Sequence, residues 1–242
     1  MKALVSKKHA TQSGPLPRLS VVVPVFEEAQ SLRPLYAELR EALCFTGGSF
    51  EVIFVDDGSR DASPEVLDAL ALEDSRIRVL TLPSNQGQSA ALAAGFREVR
   101  SEFTATLDAD LQNDPRDLEK LMLELEVADV VNGVRITRRD SWIRIVTSRI
   151  ANGVRNALTG ETVSDVGCSL RVMRTSLLEK VELSGGLHRF LPTLLRLEGA
   201  RVTEIPVSHR PRRYGRSKYG IANRLFVGIR ELYQVRGKIR AR

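Results

Sequence analysis

The chain is short of several things, and each shortage removes a class of protein. Cysteine occurs only twice, at Cys44 and Cys168, and neither lies in a CxxC pair or a Cys/His cluster. That disfavours a disulfide framework or a structural zinc site and fits a reducing cytoplasm. No stretch approaches the ~18 consecutive apolar residues that a membrane span requires. The longest soft run, Ala90 to Gly95, is short and alanine-rich. The amino terminus carries Lys2, Lys7, Lys8 and Arg18 but no apolar core of signal-peptide length, so no secretory signal is expected. An RNP-like aromatic pattern is also missing, which argues against an RNA-recognition module and leaves nucleic acid outside the expected partners. A cytoplasmic protein, soluble or peripheral on the membrane, is the expectation. Residues 1–18 mix Lys, Ser, Gly and Pro without periodicity and read as a flexible tail.

What is present is ordinary in amount but uneven in placement. With 242 residues, 43% hydrophobic and 27% charged, the chain can bury a sizeable core as one large domain. Met1 to Val134 holds 13 Lys and Arg against 22 Asp and Glu, a balance of −9; Arg135 to Arg242 holds 23 against 8, a balance of +15, which together give the net +6. An acidic half suits a cation. A basic half suits phosphate, an anionic membrane surface or nucleic acid.

The first half alternates buried-strand patterns with helical ones. Strands are expected at Leu19–Val25, Val52–Val55, Ile77–Leu82, Phe103–Leu107 and Asp129–Val134, with helices over 28–44, 61–73, 86–100 and 115–126. Strands that lack hydrophobic alternation and are separated by helices indicate a mostly parallel sheet covered on both faces. The second half is less regular. Asp140–Leu158 and Ile221–Val235 read as amphipathic basic helices, Cys168–Met173 as a strand, Leu187–Glu198 as a helix and Arg201–Val207 as an edge strand near Pro206.

Ligands of such α/β sheets bind beyond the carboxyl ends of the strands. There the sequence places Glu27, then Asp56-Asp57-Gly58-Ser59, then Asp108-Ala109-Asp110. Two carboxylates two residues apart, with the amide of Gln112 close behind, offer the oxygen ligands a hard divalent cation needs. Such a cation would bridge the phosphates of a nucleotide diphosphate and neutralise a leaving group. Taken alone, the pair is better explained by a solvated loop in which Asp114-Pro115 starts a helix. Asp56 and Asp57 can accept hydrogen bonds from a base or ribose, or can cap a turn. Asn85-Gln86-Gly87-Gln88-Ser89 opens a helix whose small face suits tight packing on the sheet.

In order and spacing, VVVPVFEEAQSL, FVDDGSRD, NQGQSAALAAGF and TLDADLQNDP resemble the family 2 glycosyltransferases of GT-A fold. The later segments DVVNGVR, SDVGCSLRVMR, HRFLPTL and EIPVSHRPRRYGRSKYG look closest to the dolichyl-phosphate mannose synthase and undecaprenyl-phosphate glycosyltransferase group. The resemblance covers roughly Ser20 to Tyr219. It implies a GT-A catalytic domain over 19–218 followed by an amphipathic segment over 219–242. It implies Mg²⁺ or Mn²⁺ at Asp108, Asp110 and Gln112, and a nucleotide-sugar donor lined by Pro24, Val25, Glu27, Asp56, Asp57, Gln88, Asp108 and Ala109. Asp110 would lie near the diphosphate, Arg135 near the diphosphate or the acceptor, Arg144 and Ser148 near an acceptor phosphate, and Arg213, Ser217 and Lys218 on a loop closing over the phosphates. The implied reaction inverts the anomeric centre and delivers a hexose, from a GDP-mannose or UDP-glucose type of donor, to a polyprenyl phosphate. The two basic helices could meet anionic lipid, pack into the core or form a homo-oligomer contact. A soluble or glycan acceptor, or a silent nucleotide-sugar-binding protein, are the competing readings.

Overall fold

The computed structural model describes residues 16–135, 163–183 and 185–214. Seven strands form one sheet: β1 (Leu19–Val25), β2 (Phe50–Asp56), β3 (Ile77–Thr81), β4 (Phe103–Thr106), β5 (Val130–Arg135), β6 (Arg171–Arg174) and β7 (Val202–Val207). Their order is β3-β2-β1-β4-β6-β5-β7. Pairs β1–β2, β1–β4, β2–β3 and β5–β7 are parallel, whereas β6 runs antiparallel to both β4 and β5. The expected mostly parallel sheet is therefore present, with one reversed strand that the sequence pattern did not mark. β7 is the edge strand expected, and Pro206 sits within it, paired in register with Val134.

Helices α1 (Ala29–Ala42), α2 (Ser63–Glu73), α3 (Gln88–Glu98), α4 (Asp117–Glu124) and α5 (Leu191–Leu197) cover the sheet. Strands β1, β2 and β4 are buried nearly along their length, as a sheet covered on two faces requires. The apolar side chains divide into two clusters accordingly. One gathers Val21, Val23, Phe54 and Val172 with Leu32, Leu35 and Leu118 of α1 and α4. The other gathers Val22, Ile53, Val55 and Met173 with Ala91, Leu92 and Ala94 of α3 and with Leu187, Phe190, Leu191 and Leu195. Alternation along β1 sends Val21 and Val23 to one layer and Val22 to the other, the period-two signature of a strand. The small face of α3 serves packing: a Cβ on Gly95 would collide with the side chain of Val22. The expected helix over 187–198 is split into a 3₁₀ turn, Leu187–Phe190, and α5, which has Pro192 in its first turn.

The chain winds outward in both directions from β1, so the sheet has a switch point between β1 and β4. The β1–β4 ladder stops at Val22–Thr106, before Pro24, which has no N–H to give. The two chains then part, and the polar loops after β1, β2 and β4 line the opening. Two non-glycine residues there adopt positive φ, Glu27 at 52° and Leu111 at 62°. Backbone held in that region costs on the order of 1–3 kcal/mol and clusters at functional sites. The expected helices over 140–158 and 221–235, most of the expected tail, and residues Arg144, Ser148, Ser217 and Lys218 lie outside the described residues. Among the described residues no helix is long and apolar enough to cross a membrane.

Candidate active site at the switch point

Asp108 and Asp110 leave β4 as the centre of the site. Asp108 Oδ1 accepts a 2.7 Å bond from Gln88 Nε2 at the start of α3. Its backbone N–H reaches Asn113 Oδ1 at 3.4 Å, and Asn113 in turn accepts from Ser169 Oγ at 2.9 Å. Burial, then the nearby Asp110 charge, push the Asp108 carboxyl above the ordinary carboxylate range. Asp110 Oδ1 accepts from the Gln112 N–H at 3.1 Å. Its other oxygen faces a cation already supplied by the chain: Arg212 Nη2 lies 2.7 Å from Asp110 Oδ2, and Arg212 Nη1 lies 2.9 Å from Glu28 Oε1.

Arg212 is delivered by a segment zipped along the loop that carries the two aspartates. The Ser208 N–H donates to Asp117 Oδ2 at 2.6 Å and the Arg210 N–H to the Gln112 carbonyl at 2.8 Å. The Gln112 side-chain nitrogen returns a 3.3 Å bond to the Arg210 carbonyl. Arg210 itself bridges Glu38 of α1 and Asp114, each at 2.6 Å. Residues 208–210 are thus anchored, and Arg212 reaches the carboxylates from just beyond the anchor.

Across the opening, Asp56 ends β2 and is 1% exposed. Its Oδ1 accepts from the Ser59 N–H at 3.1 Å, while its buried Oδ2 has no hydrogen-bond partner. A buried acceptor without a donor is costly, and a native protein rarely keeps one that no ligand satisfies. Asp57 behaves differently. Both its oxygens are taken by backbone N–H groups, Gln86 at 2.7 Å and Gly87 at 2.8 Å, so it holds the turn before α3 rather than offering itself to a ligand. Gly58, at φ 70°, admits the backbone of Ser84 and Asn85: a Cβ there would stand 2.6 Å from the Ser84 carbonyl carbon. The close approach at this glycine is made by the protein's own chain.

Arg135 ends β5 and is clamped by Asp165, with Nε–Oδ2 at 2.7 Å and Nη2–Oδ1 at 2.8 Å. Gly167 makes room, since a Cβ there would lie 2.8 Å from Arg135 Nη2. Beneath them Arg171 of β6, level with Thr106 and Asn132 in the sheet, is 3% exposed. It donates to Asn132 Oδ1 at 2.9 Å and to the carbonyls of His188 at 2.7 Å and Val166 at 3.0 Å. It thereby ties the loop carrying Asp165 and the 3₁₀ turn carrying His188 to the floor of the site.

Of the residues expected from the sequence, Asp108, Asp110, Gln112 and Gln88 meet as one group, with Ala109 buried between the aspartates. Pro24 and Val25 end β1 and Glu27 follows it at the opposite lip; Glu27 is exposed, and its N–H donates to Ser59 Oγ at 2.8 Å. Arg213 is exposed, and it is its neighbour Arg212 that reaches the carboxylates. The sequence pattern assigns no role to Glu28, nor to the floor residue Arg171, which stands within the SDVGCSLRVMR segment. Alternation along the loop gave no means of choosing between Arg212 and Arg213, and a buried arginine within an apolar strand looks like a surface one.

Comparisons with known proteins show the family and the fold. The family model described as glycosyl transferase family 2 matches residues 20–182. The chain is a family 2 glycosyltransferase. The transferase is 39% identical over 205 residues to the undecaprenyl-phosphate 4-deoxy-4-formamido-L-arabinose transferase of Edwardsiella ictaluri, covering 84% of this chain and 63% of that protein. It is 39% identical over 223 residues to the dodecaprenyl-phosphate galacturonate synthase of Rhizobium johnstonii, covering 90% of this chain and 66% of that one. The transferase thus spans somewhat less than two thirds of the length of these relatives. Its fold is similar to that of the mannosyltransferase PcManGT from Pyrobaculum calidifontis, solved with GDP-Man and Mn²⁺ (TM-score 0.69, 21% identity, 98% and 68% of the two chains). It is also similar to glucosyl-3-phosphoglycerate synthase from Mycobacterium tuberculosis, solved with Mn²⁺ and UDP-glucose (TM-score 0.68, 18% identity, 91% and 79%).

The donor set of the transferase suits a hard cation. Among the described residues no three His, Cys, Asp or Glu side chains gather into a metal cage. Two carboxylates and one amide oxygen remain, the arrangement by which Mg²⁺ is commonly held together with ligand phosphates and waters. The Gln112 nitrogen is committed to Arg210, which leaves its oxygen as the end a cation could use.

Proposed function

We propose that this transferase moves a glycosyl residue from a nucleotide-diphosphate sugar to a polyprenyl phosphate, with Mg²⁺ or Mn²⁺ held by Asp108, Asp110 and Gln112. The observation that carries the reading is the pairing, across one switch point, of an unsatisfied buried carboxylate oxygen on Asp56 with the carboxylate pair after β4. The first asks for a hydrogen-bond donor such as a base or ribose supplies. The second asks for the cation that accompanies a diphosphate. The acceptor class rests on the two curated relatives, whose names specify undecaprenyl and dodecaprenyl phosphate.

When bound, the cation would supply positive charge to the diphosphate leaving group. The protein's own side chains do the rest. Asp56 takes the donor's N–H or O–H, and Gln88 holds Asp108 in place from the α3 side. A phosphate acceptor is already anionic near neutral pH, so the main task is to hold two anions in line rather than to remove a proton. Arg212 is suited to that: it exchanges Asp110 for phosphate oxygens once the carboxylate is otherwise neutralised. Arg135, fixed by Asp165, keeps Nη1 outside that clamp. Arg144, Ser148, Arg213, Ser217 and Lys218 are proposed to complete the acceptor side at the cytoplasmic face of the membrane.

The test is transfer from a panel of GDP- and UDP-sugars to a short-chain polyprenyl phosphate, with and without Mg²⁺ or Mn²⁺. Cation-dependent lipid product from one donor supports the reading. Donor hydrolysis or transfer only to soluble acceptors would move the acceptor away from lipid.

A further inference from the structure

Ser89, the second residue of α3, lies 2.8 Å by its Oγ from His188 Nδ1. The same oxygen accepts two backbone N–H bonds, from Gly186 at 3.1 Å and from His188 at 3.2 Å. A hydroxyl has two lone pairs and one proton. Both lone pairs are committed to backbone donors, so the proton goes to Nδ1. The imidazole is therefore an acceptor at Nδ1 and carries its own proton at Nε2. Burial, reinforced by Arg189 and Arg171, pushes the ring's pKa down to about 3, in agreement with a neutral ring.

The backbone of His188 is held by Arg171, which donates to the His188 carbonyl at 2.7 Å. Its position relative to the chemistry follows from its neighbours. Ser89 adjoins Gln88, whose amide touches Asp108. Arg171 lies level with Thr106, two residues before Asp108. Among the described residues Nε2 has no hydrogen-bond partner; the bonds of His188 run through Nδ1, its N–H and its carbonyl. A neutral ring with Nδ1 filled and Nε2 protonated has no free lone pair. It can neither take a proton from the acceptor nor ligate a cation. What it can do is donate.

We propose that His188 donates its Nε2–H to an oxygen of the donor's sugar, and that Ser89 is the positioning residue that fixes the tautomer. This rests on the nucleotide-sugar reading above: the sugar is bonded to the diphosphate that the Asp108–Asp110 pair receives, which puts it near the turn that Gln88 and Ser89 begin. His188 is then a specificity-determining contact with the transferred group, and the nucleotide is recognised elsewhere.

The full chain tests this with two variants and one spectrum. His188→Phe keeps a ring of similar size without the N–H, and His188→Gln keeps an N–H at the far end of the side chain. His188→Phe is expected to lower kcat/KM for the preferred nucleotide sugar by about tenfold or more, the loss of one hydrogen bond. It is expected to leave binding of the nucleotide diphosphate alone unchanged by calorimetry, and His188→Gln is expected to recover most of the loss. The ¹⁵N long-range spectrum of the ring should show protonated Nε2 and bare Nδ1 from about pH 5 to 8, where a free histidine titrates. Ser89→Ala should abolish that fixed pattern. A ring that titrates, or is protonated at Nδ1, would overturn the inference. So would equal losses for the sugar nucleotide and the bare nucleotide, which mark a structural role. A wild-type protein that binds no nucleotide sugar removes the transferase reading and this inference together; a wild type that transfers, with His188→Phe at full rate, removes the inference alone.

Discussion

Arg212 is the chain's own cation at the site proposed to hold a metal, and on that proposal replacing it should make metal binding tighter. Its guanidinium is 26% exposed, and the Asp110 and Glu28 side chains it bridges are each 9% exposed. Two unit charges about 4 Å apart attract by about 4 kcal/mol at an effective dielectric of 20. Desolvation of all three groups offsets much of that, so the competition Arg212 offers a divalent cation should be on the order of 1–2 kcal/mol. Arg212→Gln is therefore expected to raise Mn²⁺ affinity by about tenfold in the absence of nucleotide, read by electron paramagnetic resonance titration. Without metal the variant leaves Asp110 and Glu28 without the cation they share, so its melting temperature should fall and should recover when Mn²⁺ is added. Transfer should fall at saturating metal, because the guanidinium is missing when phosphates arrive. Arg213→Gln, which alters an exposed neighbour, should leave Mn²⁺ affinity unchanged. Unchanged or weaker Mn²⁺ binding in Arg212→Gln would refute the reasoning.

Gly58→Ala should lower stability by about 2 kcal/mol or more, because a Cβ would stand 2.6 Å from the Ser84 carbonyl carbon on a residue at φ 70°; a thermal melt checks it. Cys44 is exposed, whereas Cys168 is buried with its thiol pushed up to about 11 by burial, so iodoacetamide at about pH 8 should label Cys44 quickly and Cys168 only on unfolding, as peptide mass mapping would show. Burial raises the Asp114 carboxyl, but Arg116 and Arg210 outweigh it and hold the group at about 2. A pKa lowered on folding gives stability that is present above the unfolded value, about 3.9, and is lost as pH falls toward 2. Arg210→Gln should therefore raise the pH of acid unfolding, measured by circular dichroism.

The sequence was most legible where one physical rule acted alone. Unbroken apolar runs such as those of β1 and β2 could only be strands covered on two faces, and the structure buries them so. The carboxylates at their ends followed from the general rule for α/β sheets. Direction was harder to read. β6 reverses between β4 and β5, and nothing in Arg171-Val172-Met173-Arg174 distinguishes a parallel from an antiparallel partner. Division of labour within a motif was also hidden. Asp56 and Asp57 are neighbours of the same type, yet one keeps a bare oxygen and the other spends both on the turn before α3. That difference depends on residues 86 and 87, about 30 positions away. The same holds for Arg212 and for Ser89 with His188, whose partners lie roughly 100 residues distant and are set by packing of the sheet rather than by local pattern.

The central claim is that the switch-point carboxylates of this transferase serve a cation and a nucleotide diphosphate together. The most direct measurement is calorimetric binding of UDP- and GDP-sugars to wild type, Asp110→Asn and Asp56→Asn, each with and without Mn²⁺. The account predicts tight, Mn²⁺-dependent binding of one nucleotide class to the wild type, loss of the Mn²⁺ dependence in Asp110→Asn, and weak binding irrespective of Mn²⁺ in Asp56→Asn. Binding that ignores Mn²⁺ in the wild type, or that survives both substitutions unchanged, would contradict it.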